Sequence, residues 1–138
     1  MSRGRTANAL SRVSRGSAKL FGDDRGRLGV IDLVGHAPFV PVRIFWISEV
    51  PAGRIRGGHA HKACSQFVVC LQGKVVIDAF DGTTNARFVL EVGDFINLVP
   101  GIFATEEFVE PGSLLLVVCD RPYEADDYIH DRNALKPD

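Results

Sequence analysis

The sequence predicts an all-β, single-domain fold, a double-sheet jelly roll, on three observations. After the turn signal Gly22-Asp-Asp-Arg-Gly26, short apolar stretches recur, broken at roughly ten-residue spacing by glycine, proline or aspartate. The stretches are rich in β-branched and aromatic residues, which suit a pleated, half-buried surface better than a helix. At 138 residues, the chain can close one hydrophobic core without a metal or a disulfide.

Taken in order, the expected strands are Leu28–Leu33, Val42–Glu49, Gly58–Lys62, Gln66–Leu71, Lys74–Phe80, Ala86–Leu90, Phe95–Leu98 and Ser113–Cys119. Asp81-Gly82 marks a hairpin and Gly93-Asp94 a second turn. Only Tyr123–Ile129, after Pro122, has a helical look, enough for one or two turns. Residues 1–21 carry Arg3, Arg5, Arg12, Arg15 and Lys19 among small residues with no acid, so they are expected to form a mobile basic tail before a domain at 22–138. A transit peptide shares that composition but should also show an amphipathic face, and none is sustained here.

Composition narrows the function classes. A formal charge of −1 gives no reason to expect nucleic acid or an anionic membrane as a partner. No apolar run approaches the ~20 residues of a membrane span. Cys64, Cys70 and Cys119 form no paired framework and no Cys-x-x-Cys motif, so they are expected as reduced, buried residues of a cytoplasmic protein.

The chemistry concentrates in Gly53-Arg-Ile-Arg56-Gly-Gly-His59-Ala-His61-Lys-Ala-Cys-Ser-Gln66-Phe-Val-Val-Cys-Leu-Gln-Gly73. This has the glycine and His-x-His spacing of a cupin strand pair. Successive side chains in a strand alternate faces, so His59 and His61 point the same way, into whatever the sheet encloses. A metal-binding cupin needs a carboxylate beside its imidazoles to offset the ion's charge. Here that position is Gln66, and the histidine slot of the later motif Gly93 to Ala104 is an alanine. No metal and no other cofactor is therefore expected. The histidines suit acid–base work, because an imidazole near neutrality can both take and return a proton. Hydrogen-bonded core histidines are the plainer alternative.

The stretches Arg43-Ile-Phe-Trp-Ile-Ser-Glu-Val-Pro51, Arg56-Gly-Gly-His59-Ala-His61-Lys62, Gln66 to Gly73 and Tyr123-Glu-Ala-Asp-Asp-Tyr128-Ile129 together resemble the cupin-type dTDP-4-keto-6-deoxyglucose 3,4-ketoisomerases, the WxcM-like sugar ketoisomerases. The similarity runs from about Asp24 to Leu135. It implies a homodimer, often with exchanged strands, that moves a carbonyl from C4 to C3 of a nucleotide-linked hexose bound for amino sugars of surface polysaccharide. It also implies that His59 is the base and that His61 shuttles a proton or polarises the sugar oxygen. Arg43 would contact the diphosphate, where a guanidinium fork matches phosphate oxygens. Arg56 would neutralise an enediolate or phosphate, or else pair with a surface carboxylate. Gln66 agrees with the metal-free family and would hold a histidine tautomer. Tyr128 would seal the sheet edge or stack on the thymine.

Two departures stand against the resemblance. The family's strand tyrosine is replaced at Phe45-Trp46, and its late tryptophan-histidine pair at Phe103-Ala104. Both remove polar groups from the cavity, which keeps open a degenerate cupin that binds a nucleotide sugar without turnover. A metal-dependent cupin enzyme is the remaining alternative.

Overall fold

The computed structural model describes residues 9–135. A short 3-10 turn, Ala9–Arg12, leads into twelve strands: β1 (Ser14–Ser17), β2 (Lys19–Asp23), β3 (Gly26–Val30), β4 (Arg43–Ile47), β5 (Arg54–His61), β6 (Gln66–Gln72), β7 (Lys74–Phe80), β8 (Asn85–Glu91), β9 (Asp94–Leu98), β10 (Phe103–Phe108), β11 (Leu114–Cys119) and β12 (Tyr128–Ile129). Two five-stranded antiparallel sheets, ordered β1-β9-β6-β11-β4 and β12-β5-β10-β7-β8, face one another. β2 and β3 form a separate hairpin.

The interior between the sheets is filled by Val68, Cys70, Val75, Ile77, Leu90, Ile96, Phe108, Leu115 and Val117. A second cluster, Phe67, Val69, Phe95 and Val118, lies on the other face of the first sheet, under Ile31, Leu33 and Phe39. β6 is central and covered on both faces, which explains its unbroken run of buried residues from Gln66 to Cys70.

The N-terminal boundary differs from the sequence expectation. From Ala9 the basic stretch belongs to the fold, and only residues 1–8 of the expected tail lie outside the described residues. β1 adds to the edge of the first sheet, with Ser14 opposite Asn97 and Ser17 opposite Asp94. Its polar side chains are used there. Ser17 Oγ donates to Asp94 at 2.7 Å, and Arg15 donates to the carbonyl of Val89 at 2.9 Å. A strand held at a sheet edge by backbone and side-chain hydrogen bonds needs no apolar periodicity, so composition alone did not reveal it.

Two other elements also depart from expectation. The helical stretch at the C-terminal end is one 3-10 turn, Ala125–Asp127, after which Tyr128–Ile129 pairs with β5, Tyr128 opposite His61. Phe103–Phe108, with its paired glutamates, is a full strand between β5 and β7.

Candidate active site

β5 carries the two histidines into the space between the sheets, and its path depends on Gly57 and Gly58. Both have left-handed φ, 84° and 85°, and the register of β5 against β10 slips there: His59 faces Ala104, yet Gly57 faces Thr105 and Arg56 faces Glu106. This β-bulge inserts one residue. Residues directly opposite in an antiparallel pair share a face. Arg56, three residues from His59, is thereby turned onto the face that His59 occupies. Ile55 is turned outward and is 64% exposed.

His59, His61 and Tyr128 converge. Their ring centroids are 5.2 Å apart for His59–His61, 4.8 Å for His59–Tyr128 and 4.5 Å for His61–Tyr128. His130 stacks on Tyr128 at 5.8 Å and lies 6.3 Å from His59. Burial, reinforced by the neighbouring His61 and His130, pushes the His59 imidazole down to about 4. At neutral pH His59 is uncharged and able to accept a proton.

His61 is buried, and its Nδ1 lies 2.8 Å from Asp127 Oδ2. Asp127 also accepts from the backbone N–H of Ala63 at 2.7 Å and of Cys64 at 3.3 Å. Burial alone would raise this carboxyl, but the hydrogen bonds from His61, Ala63 and Cys64 outweigh it and hold Asp127 below the ordinary range. An ionised Asp127 makes Nδ1 the protonated nitrogen and leaves the lone pair on Nε2, which is buried and meets no partner among the described residues. The sequence reading assigned this tautomer-holding role to Gln66. Gln66 is buried, but its Nε2 lies 3.9 Å from Cys119 Sγ, so Asp127 is the residue that orients His61.

The floor of the site is a cysteine pair beneath Arg43. Arg43 Nη2 lies 3.4 Å from Cys119 Sγ, and its guanidinium stands over Phe45 at 5.5 Å and Tyr123 at 5.9 Å. The Cys64 thiol hydrogen bond and the Arg43 charge bring Cys119 down to about 7, while Cys64 is pushed up. All three cysteines are buried and free. The Arg43 charge also acts on Tyr128, whose hydroxyl burial would otherwise push up further. Gln66 and Arg43 meet through Cys119. Arg56 stands apart from that network, opposite Glu106.

Among the described residues, His61, Cys64 and Asp127 are the one trio whose donor atoms, within 4.8 Å of one another, suit a metal. The donor chemistry does not fit well. The carboxylate is already engaged by three donors, and the Cys64 thiol is held protonated. Sequence reasoning missed Asp127, Cys119 and Glu106. Asp127 was within reach, since it stands in the ending Asp-Asp-Tyr-Ile, but which residues it meets depends on loop packing.

Comparison with known proteins places the chain in a family. The family model described as FdtA: WxcM-like, C-terminal matches residues 13–137. A TDP-4-oxo-6-deoxy-alpha-D-glucose-3,4-oxoisomerase of Aneurinibacillus thermoaerophilus is 27% identical over 117 residues, 83% of this chain and 83% of that protein. The crystal structure of QdtA, a sugar 3,4-ketoisemerase from Thermoanaerobacterium thermosaccharolyticum in complex with TDP, has a TM-score of 0.80 at 27% identity, covering 88% of this chain and 90% of that one. A 3,4-ketoisomerase from Helicobacter canadensis shares the fold, with a TM-score of 0.78 at 24% identity over 86% of this chain and 90% of that one. The family match spans both sheets and the whole histidine site, and the chain therefore belongs to the WxcM-like, C-terminal family of FdtA.

Proposed function

We propose that this protein is a sugar 3,4-ketoisomerase that moves the carbonyl of a dTDP-4-keto-6-deoxyhexose from C4 to C3, without a metal, in the cytoplasmic synthesis of deoxyamino sugars for surface polysaccharide. The observation that carries the reading is the convergence of an uncharged His59, an Asp127-oriented His61 and Tyr128 on one inward face. The activities named for the relatives at 27% identity support it.

In this reading His59 takes the proton from C3. The electron pair enters a C3–C4 double bond, and the oxygen on C4 becomes an enolate. Tyr128 supplies a hydroxyl donor to a sugar oxygen, and preorganised donors at a developing oxyanion are a large source of rate. His61, whose Nδ1 proton is held by Asp127, offers its Nε2 lone pair to take and return a hydroxyl proton. Arg43 holds the diphosphate. Its Nη2 lies against Cys119 Sγ, and its guanidinium stands over Phe45 and Tyr123. Arg56 adds positive charge near the enediolate, and Gln66 supports the Cys119 floor.

We further propose that the working form is a homodimer, with the hairpin β2–β3 as the exchanged or docking element. Phe21 and Leu28 of the hairpin are 56% and 61% exposed, and Ile44 and Trp46 on the edge strand β4 are 58% and 63% exposed. An apolar cavity of about 780 Å3 lies between hairpin and sheet, lined by Leu20, Ile31, Ile44, Phe67, Leu116 and Val118. A second copy is the partner whose burial this face suits. A monomeric mass by light scattering at micromolar concentration would remove the dimer.

The test of activity is proton NMR of metal-stripped protein with dTDP-4-keto-6-deoxyglucose in deuterated water. Loss of the C3 proton together with a new 3-keto sugar is the expected result. Binding without conversion would instead favour the degenerate cupin.

A further inference from the structure

The isomerisation needs two hydrogen movements on carbon and two on oxygen. The histidine cluster accounts for one side of that exchange. The position opposite His59 on β10, Ala104, has only a methyl group, and it also faces Ala79 of β7. Two residues on, Glu106 faces Arg56 of β5 on one side and the fully buried Ile77 of β7 on the other. Ala104, Glu106 and Phe108 therefore share the inward face, and Ala104 and Phe108 are buried there. Glu106 is a half-buried carboxyl on that inward face, between Ile77 on one side and Arg56 on the other.

Two features of β5 make room for it. A Cβ on Gly57 would sit 3.4 Å from both carboxylate oxygens of Glu106 and 2.9 Å from the carbonyl oxygen of Ala104. The bulge at Gly57-Gly58 also turns Arg56 to face Glu106. His59 and Glu106 are diagonal cross-strand neighbours, about 7–8 Å apart at the backbone. Two side chains of their length at that spacing reach adjacent carbons of one hexose ring.

Resting on the ketoisomerase reading, we propose that Glu106 is the second acid–base group of the site, the partner of His59 across the enediol. His59 takes the proton from C3 and passes it to the oxygen on C4, as the C3–C4 double bond forms. Glu106 then delivers its proton to C4, the double-bond pair forming the new C4–H bond. The C3 hydroxyl gives its proton to the Glu106 carboxylate, and its O–H pair becomes the second bond of the C3 carbonyl. Both groups end as they began, with no other reagent. Burial pushes the Glu106 carboxyl up to about 7 against the lowering pull of Arg56, so a protonated fraction is present at neutral pH.

The test is Glu106→Gln compared with the unaltered protein in the deuterium experiment, with TDP affinity and thermal unfolding as controls. The proposal expects the variant to keep exchanging the C3 proton with solvent while its conversion to the 3-keto sugar falls at least about 100-fold, the size of a lost acid–base group. Conversion within threefold of the unaltered protein would overturn it, as would equal loss of exchange and conversion. If Glu106→Gln fails to fold, Glu106→Asp decides by the same criterion: conversion must fall more than exchange. Should the unaltered protein neither exchange nor convert the sugar, both this inference and the ketoisomerase reading fall. If it converts and Glu106→Gln converts equally well, Glu106 alone does.

Discussion

His61 Nδ1 and Asp127 Oδ2 are 2.8 Å apart, both buried, and joined across 66 residues of sequence. The pair fixes which nitrogen of His61 faces the cavity. Asp127→Asn keeps the shape but offers an amide in place of the anion, so either tautomer of His61 becomes acceptable. For metal-ligating histidines the loss of such an outer partner costs about 10–100-fold, and by analogy turnover is expected to fall by about that factor with TDP affinity little changed. Steady-state kinetics beside TDP titration check it; unchanged turnover would make Asp127 a purely structural residue.

For His59 the expectation is sharper. His59→Asn should lose the C3 exchange by at least about 100-fold, since no other uncharged imidazole stands where it does, and nucleotide binding should survive. Near-normal exchange in that variant would take the base role from His59.

His59 and Glu106 predict opposite pH slopes in stability. His59 drops from 6.5 to about 4 on folding. Between those values the unfolded chain binds the extra proton, and stability falls as pH falls. Glu106 rises from 4.5 to about 7. Over that range the folded chain binds the proton, so stability falls as pH rises. Each window is about 2.5 pH units, worth at most about 3 kcal/mol. The two contributions cancel over most of pH 4.5–6.5. Urea unfolding of His59→Asn should therefore show stability falling from pH 4.5 to 7, and Glu106→Gln should show it rising from pH 4 to 6.5. Parallel slopes in the two variants would contradict these assignments.

Arg43→Lys tests the binding role. Lysine keeps the charge but loses the fork. TDP affinity is expected to weaken about tenfold, or about 1.4 kcal/mol, with turnover of bound sugar within a few-fold, because a diphosphate contact serves ground and transition states alike. A fall in turnover at unchanged affinity would place Arg43 at the reacting carbons instead.

How much of this was readable in the sequence follows from the range of each interaction. The His-x-His pair, the β-rich pattern and Gln66 are local signals. Alternation by two correctly puts His59 and His61 on one face. The same rule fails for Arg56, where the bulge adds a residue, though Gly57-Gly58 was the visible cue. β10 was missed because Glu106 and Glu107 break its apolar alternation, and one of them is a half-buried acid on the inward face. β1 was missed because its edge pairing uses serine and arginine side chains. Asp127 and Cys119 meet their partners over more than 50 residues, and spacing carries no information about such contacts.

The bulge gives the last prediction. Gly57 and Gly58 share the same left-handed φ, so replacing either with alanine carries a similar backbone strain, about 1–3 kcal/mol. Their surroundings differ. A Cβ on Gly58 meets open space, whereas one on Gly57 collides with the Ala104 carbonyl and crowds Glu106. Gly58→Ala should therefore fold with a modest loss of stability and near-normal turnover. Gly57→Ala should cost more and should also reduce turnover, since relieving the clash separates β5 from β10 where His59 and Glu106 are set against each other. Equal effects of the two substitutions, by urea unfolding and sugar conversion, would mean that only the φ angle matters and that the Gly57 contact with Glu106 does not position the site.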